Sequence, residues 1–141
     1  HPQNVALVNL LDPDFKSLDD YHAASYGMRL LVDTVPSHAA VGKNQVDFDL
    51  VIDHHKETPN GGFRGLFLNI KAGSCCATVY QLLKHRGLLF DSTNDRDGKI
   101  ATAMMVGIAT DTENLLSDDT TEFEFEAYWK LFPFRDSDAL K

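Results

Sequence analysis

Asp53, His54 and His55 follow one another without a gap at the end of an apolar run, FDLVID, residues 48–53. A carboxylate and two imidazoles at the tip of a predicted strand suit metal binding or proton transfer. Mixed carboxylate and imidazole donors favour divalent Mn, Fe, Co or Zn, whereas all-oxygen sets favour Mg or Ca. Two more acids fall where elements end. Asp33 closes the run MRLLVD, 28–33, and Asp111 lies in GIATDTENL, after a predicted helix over 95–109. Neighbours on an extended segment point to opposite sides. One histidine is therefore expected to bind metal while the other, or Asp53, orients it or faces a substrate. Each piece also has a plainer reading. Asp33 can be a strand-end turn former, the His-His pair a surface feature, and Thr110-Asp111-Thr112 a helix exit. Ser74-Cys75-Cys76 reads as a helix start with small residues packed on a sheet. His22, His38 and His85 read as surface or loop residues, and Asp95 to Asp97 and Glu122 to Glu126 as solvated helix starts or faces.

The elements that must position these groups follow from periodicity. Residues 3–11 read as a short amphipathic helix broken by Asp12-Pro13-Asp14. Buried strands are expected at 28–33 and 48–53, and a third strand at 63–70. Residues 34–43 and 56–62 carry the proline and glycine of loops. Helices are expected over 75–86, capped by Ser74 and ended by Gly87; over 95–109, started by Asn94 or Asp95; and over 119–131, before Pro133. Short apolar runs alternating with helical patterns give an α/β fold, a parallel sheet with helices on both faces. Ligands of such sheets collect beyond the carboxyl ends of the strands, where Asp33 and Asp53 to His55 fall.

The 141 residues are 43% hydrophobic, enough for one domain with its own core. The net charge of −8 argues against a grip on duplex DNA, which needs clustered Lys and Arg. It leaves room for a small phosphorylated substrate held through cations. No apolar run is long enough for a membrane span. The only two cysteines are adjacent, Cys75 and Cys76, so a disulfide framework is not expected and a reducing, cytoplasmic setting is. No second cysteine pair completes a zinc site.

Three ordered stretches resemble the DHH phosphoesterase superfamily: LLVDTVPS at 30–37, DLVIDHH at 49–55 and ATAMMVGIATDTENL at 101–115. The helix opened by Gly73-Ser74 falls where that family has one. The resemblance covers most of residues 1–131, leans toward the RecJ-like and nano-RNase-like branches, and implies a metal-dependent phosphoesterase. By it, Asp33 bridges two cations, His54 and Asp111 bind one of them, His55 faces the substrate phosphate, and Asp53 orients the His54 ring. Two cations about 3.5–4 Å apart clamp a phosphoryl group and acidify a water. The implied cofactor is Mn2+, with Mg2+ or Co2+ as alternatives. The implied substrates are phosphoadenosine phosphate, short oligonucleotides or cyclic dinucleotides, and a homodimer is left open.

The departures are specific. The family's first motif is a His with Asp four and six residues on. The four Asp-x-Asp pairs here are preceded at that distance by Val8, Lys43, Asp91 and Phe132. Residues 1–141 therefore read as a partial domain, incomplete at the N-terminus, without the first motif or the family's C-terminal substrate-binding domain. Weak or absent activity is expected of this piece alone. The alternative is a noncatalytic nucleotide-sensing or regulatory module that keeps the fold.

Overall fold

A computed structural model describes residues 5, 8, 9, 11, 26–39, 41, 47–56, 61, 63–88 and 90–138. Three short runs rich in Leu, Val, Ile and Phe pair as a parallel sheet in the order β1 (Leu30–Val32), β2 (Phe48–Ile52), β3 (Phe63–Leu68). Leu31 lies beside Val51, which lies beside Phe67; Val32, Ile52 and Leu68 form the next row. Parallel pairing brings all three carboxyl ends to one edge. The pairing continues one residue past β1 and β2: Asp33 N–H donates to Ile52 O at 2.9 Å, and Asp53 N–H to Leu68 O at 3.1 Å.

The opposite edge is tied by charge. Asp49 accepts from the Arg29 backbone N–H at 2.8 Å and from Arg64 Nε at 2.9 Å. These bonds, the Arg29 amide first, hold its carboxyl below the usual aspartate range. The ladder is irregular between Phe48 and Leu50. A side chain at Gly65 would place its Cβ 1.8 Å from the Asp49 carbonyl oxygen, so only glycine fits this crossing.

Three helices complete the described chain. Helix α1 (Cys75–His85) starts at Ser74, whose Oγ accepts from Ala77 N–H at 3.1 Å, and gives way to Gly87 at φ 69°. Helix α2 (Asp95–Asp111) is capped by Asn94, with Asp95 and Asp97 in its first turn. Helix α3 (Glu122–Leu131) begins with a capping box between Thr121 and Glu124 and runs into a 3-10 turn, Phe132–Phe134. The three helices pack on one another around Ala77, Ala101, Met105, Ile108, Ala127 and Leu131. Alanines at three of these positions let the helix axes approach closely, and each larger apolar side chain adds about 1.5–3 kcal/mol by leaving water. Helix α1 reaches the sheet at β2, where Cys75 Sγ lies 3.5 Å from Ile52 O. No described helix is long and apolar enough to cross a membrane.

The α/β reading with a parallel sheet holds, and the strands lie in sequence order. Several details differ from expectation. Strand β1 is three residues long and is not buried: Leu30 and Val32, on a face that no described helix covers, are about half exposed. Among the described residues the principal helix–sheet contact is that of α1 with β2, so helices on both faces are not seen there. Helix α2 runs two residues past 109 and includes Asp111. Helix α3 begins at Glu122 rather than 119, because the Thr121 side chain takes the first free amides. Of the helix expected over 3–11, Val5, Val8, Asn9 and Leu11 are helical; its other residues, the Asp12-Pro13-Asp14 break and His22 lie outside the described residues.

Candidate metal centre

Asp33 sits one residue beyond β1 with φ 64°. Aspartate tolerates this left-handed conformation better than most side chains, at roughly 1 kcal/mol. The turn ends the strand and sends the Asp33 carboxylate toward the neighbouring strand's tip. There His54 Nε2 lies 3.4 Å from Asp33 Oδ1. The His54 ring is mostly buried, while the Asp33 and His55 side chains are more than half exposed. The rings of His54 and His55 lie 4.4 Å apart and tilted, so both imidazoles lie on the same side instead of opposite sides. The ladder ends with the Asp53 N–H bond to Leu68 O, and alternation no longer applies at His54 and His55. One donor atom from each of Asp33, His54 and His55 falls within 4.8 Å of the others. That spacing suits three ligands around one cation with bonds of about 2.0–2.2 Å.

Asp53 is fully buried under this pair. Its Oδ1 lies 2.7 Å from His55 Nδ1, and its Oδ2 has no hydrogen-bond partner among the described residues. The resemblance has Asp53 orient His54; the contact made is with His55. With Nδ1 donating to Asp53, His55 keeps Nε2 for a ligand or substrate. This hydrogen bond, helped by the charges of Asp53, Asp33 and Asp111, raises the His55 pKa above 6.5 against the opposing pull of burial. A residue overlooked in the sequence supports the same turn. Asn69 Nδ2 donates to His55 O at 2.8 Å, and Asn69 Oδ1 accepts from Lys71 N–H at 2.7 Å. The only signal for it was a polar side chain ending the apolar run FRGLFL.

Asp111 lies outside the three-donor group. It shares with Asp33 a cavity of about 300 Å³, walled by Val32, Cys76, Met104 and Gly107. Loss of water around its carboxyl, then the charge of Asp33, raises the Asp111 pKa; His54 and His55 act the other way. The helix is stopped just past Asp111 by Thr112, which is fully buried. Thr112 Oγ1 donates to Ile108 O at 2.6 Å and accepts from Leu115 N–H at 3.1 Å. Glu113, Asn114 and Leu115 then run in succession at φ 50°, 61° and 68°, a left-handed turn. Such residues persist only where surrounding bonds over-determine them, and here Leu116 and Ser117 N–H both return to Thr112 O. Thr110-Asp111-Thr112 is thus a helix exit, and Asp111 at its tip also faces the cavity.

Cys75 and Cys76 stand on α1 beside the same cavity. Burial, with the nearby aspartates, pushes both thiols up to about 12, which keeps them protonated and poor ligands at neutral pH. Glu124, read from sequence as a solvated position, is fully buried. Its Oε1 accepts from Gly73 N–H at 2.9 Å and Ser74 N–H at 3.2 Å; its Oε2 accepts from Thr121 N–H at 2.8 Å and Thr121 Oγ1 at 2.7 Å. The pattern Thr-x-x-Glu was the available signal. Through this carboxylate α3 holds the start of α1 in place, and α1 carries one wall of the cavity.

In comparisons with known proteins, no family model matches the chain and no curated protein matches it at a significant level.

Proposed function

We propose that the chain is the core of a metal-dependent phosphoesterase of the DHH kind, acting on phosphoester bonds of small nucleotides or short oligonucleotides. The observation that carries this reading is the convergence of Asp33, His54 and His55 donors within 4.8 Å at the carboxyl ends of adjacent parallel strands. The donor set of one carboxylate and two imidazoles fits Mn2+ or Co2+ better than Mg2+. A buried carboxylate with one unpartnered oxygen lies directly beneath and locks one ring. A cation held there would polarise a phosphoryl oxygen and lower the pKa of a water. The side chains do the rest. Asp53 and Asn69 fix His55 from two directions, so that its free nitrogen is presented without searching rotamers. Asp111 shares the cavity with Asp33, and in this reading its carboxylate meets the substrate from the helix side. Val32 and Met104 give the cavity an apolar wall.

A second reading has a specific observation behind it. The described donors within 4.8 Å suffice for one cation, and Asp111 is not among them. A noncatalytic nucleotide-sensing module would need no more. Incubation with Mn2+ and short RNA, phosphoadenosine phosphate or a cyclic dinucleotide, followed by chromatography of the products, separates the two. Slow Mn2+-dependent hydrolysis that disappears in Asp33→Ala supports the enzyme. Saturable Mn2+-dependent nucleotide binding without products supports the sensor. Absence of both rejects the site as a nucleotide site.

A further inference from the structure

Helix α3 buries Glu124, Ala127 and Leu131 on one side. On the other side it exposes Phe125 by 56% and Trp129 by 75%, and the following turn exposes Phe132 by 44%. At 100° per residue, Glu122, Phe125, Trp129 and Phe132 fall within an arc of about 80°. The buried residues lie diametrically opposite, so these aromatics serve nothing inside the described core. Three large aromatics in one exposed row are an unusual cost for a surface that meets only water.

The charges at the two ends of the row differ in sign. Glu122 opens the helix at one end. At the other, the Arg135 guanidinium lies 3.6 Å above the Phe132 ring and donates through a terminal nitrogen to Phe132 O at 2.7 Å, which holds the cation beside the stripe. When two copies of this helix meet antiparallel about a twofold axis, residues whose numbers sum to about 257 face each other. Phe125 then meets Phe132 of the second copy, the Trp129 rings meet near the axis, and Glu122, one turn before Phe125, comes beside the Arg135 cation held on Phe132. The Phe125–Phe132 and Glu122–Arg135 pairings occur twice and the Trp129–Trp129 contact once, because the interface is isologous. A parallel arrangement would bring like charges together at both ends.

We propose that the Phe125–Trp129–Phe132 face of α3 is a self-association surface, at which a second copy of this chain docks antiparallel with Glu122 against Arg135 at both ends. Aromatics with a cation at the rim are the composition that concentrates binding energy in interfaces. Trp129 is the chain's only tryptophan, so its fluorescence reports on this face alone.

Sedimentation equilibrium of the full chain, read alongside Trp129 emission over a concentration series, tests the proposal. A dimer with a blue shift that tracks its population is expected. Trp129→Ala should weaken association by about 100-fold, as expected of a central aromatic anchor. Glu122→Arg and Arg135→Glu should each weaken it by about 10-fold, because two attractive pairs become repulsive. The double variant Glu122→Arg/Arg135→Glu should return association to within about 3-fold of the original, since swapped charges remain complementary. Circular dichroism melts of each variant confirm folding. A chain that stays monomeric at about 0.5 mM, far above the dissociation constants of specific dimers, would overturn the proposal. So would a dimer indifferent to Trp129→Ala, or a double variant as weak as the singles. A monomer whose Trp129 emission shifts blue with phosphatidylcholine vesicles would assign the face to a membrane surface instead.

Discussion

Replacing Glu124 by glutamine should destabilise the fold far more than its place in an EFEFE run suggests. The carboxylate is fully buried and accepts four hydrogen bonds, two on each oxygen. Glutamine keeps the shape and one oxygen but turns the other acceptor into a donor. Two N–H or O–H groups are then left facing an NH2 in a buried site. Each orphaned buried donor costs about 1–3 kcal/mol, so the expected loss is about 2–6 kcal/mol. Against a total stability of about 5–15 kcal/mol for a single domain this is a large share. Urea unfolding followed by far-UV circular dichroism measures it. With a slope of about 2 kcal/mol/M, the midpoint should fall by about 1–3 M. Glu122→Gln, two residues away and exposed, should cost about 0.5 kcal/mol or less. Amide exchange adds a local reading, since protection at Gly73 and Ser74 should drop more than protection in α2. A loss under about 1 kcal/mol for Glu124→Gln would mean that the buried donors find other partners and that this carboxylate is not what joins α3 to α1.

A methyl group at Gly107 would lie 2.5 Å from Cys76 Sγ. Gly107→Ala should therefore cost about 1–3 kcal/mol by overpacking, despite the helix preference of about 1 kcal/mol for alanine. Cys76→Ala in the same chain should recover most of that loss in the same thermal melts. The hydrogen bond with Asp53 raises the His55 pKa above 6.5. In metal-free protein its NMR titration midpoint should lie above 6.5 and fall in Asp53→Asn. The sign for stability follows: the His55–Asp53 contribution is complete below pH 6.5, where both folded and unfolded imidazoles are protonated. It is lost as pH rises through the folded midpoint.

Much of this arrangement was legible in the residues. The three apolar runs paired in parallel order, and Ser74, Asn94 and Gly87 marked helix ends, because turn and cap chemistry acts locally. What stayed hidden depends on distant partners. The exposure of Leu30 and Val32 follows from their sharing the face of β1 that no described helix covers, a fact of tertiary packing and not of composition. The swing of both histidines to one side follows from the chain leaving the ladder after Asp53, where a buried carboxylate and Asn69 take hold of His55. The burial of Glu124 required knowing that Gly73 and Ser74, some fifty residues earlier, turn their amides toward it. Capping boxes are readable, but a second task for the same carboxylate is not.

The joint holding of a single cation by Asp33, His54 and His55 is tested most directly by titrating Mn2+ into the protein while recording imidazole NMR signals. Paramagnetic broadening should remove the His54 and His55 resonances at substoichiometric Mn2+, leave His85 visible, and vanish in Asp33→Ala. Uniform weak broadening of all histidines, or the same selective loss in Asp33→Ala, would contradict it.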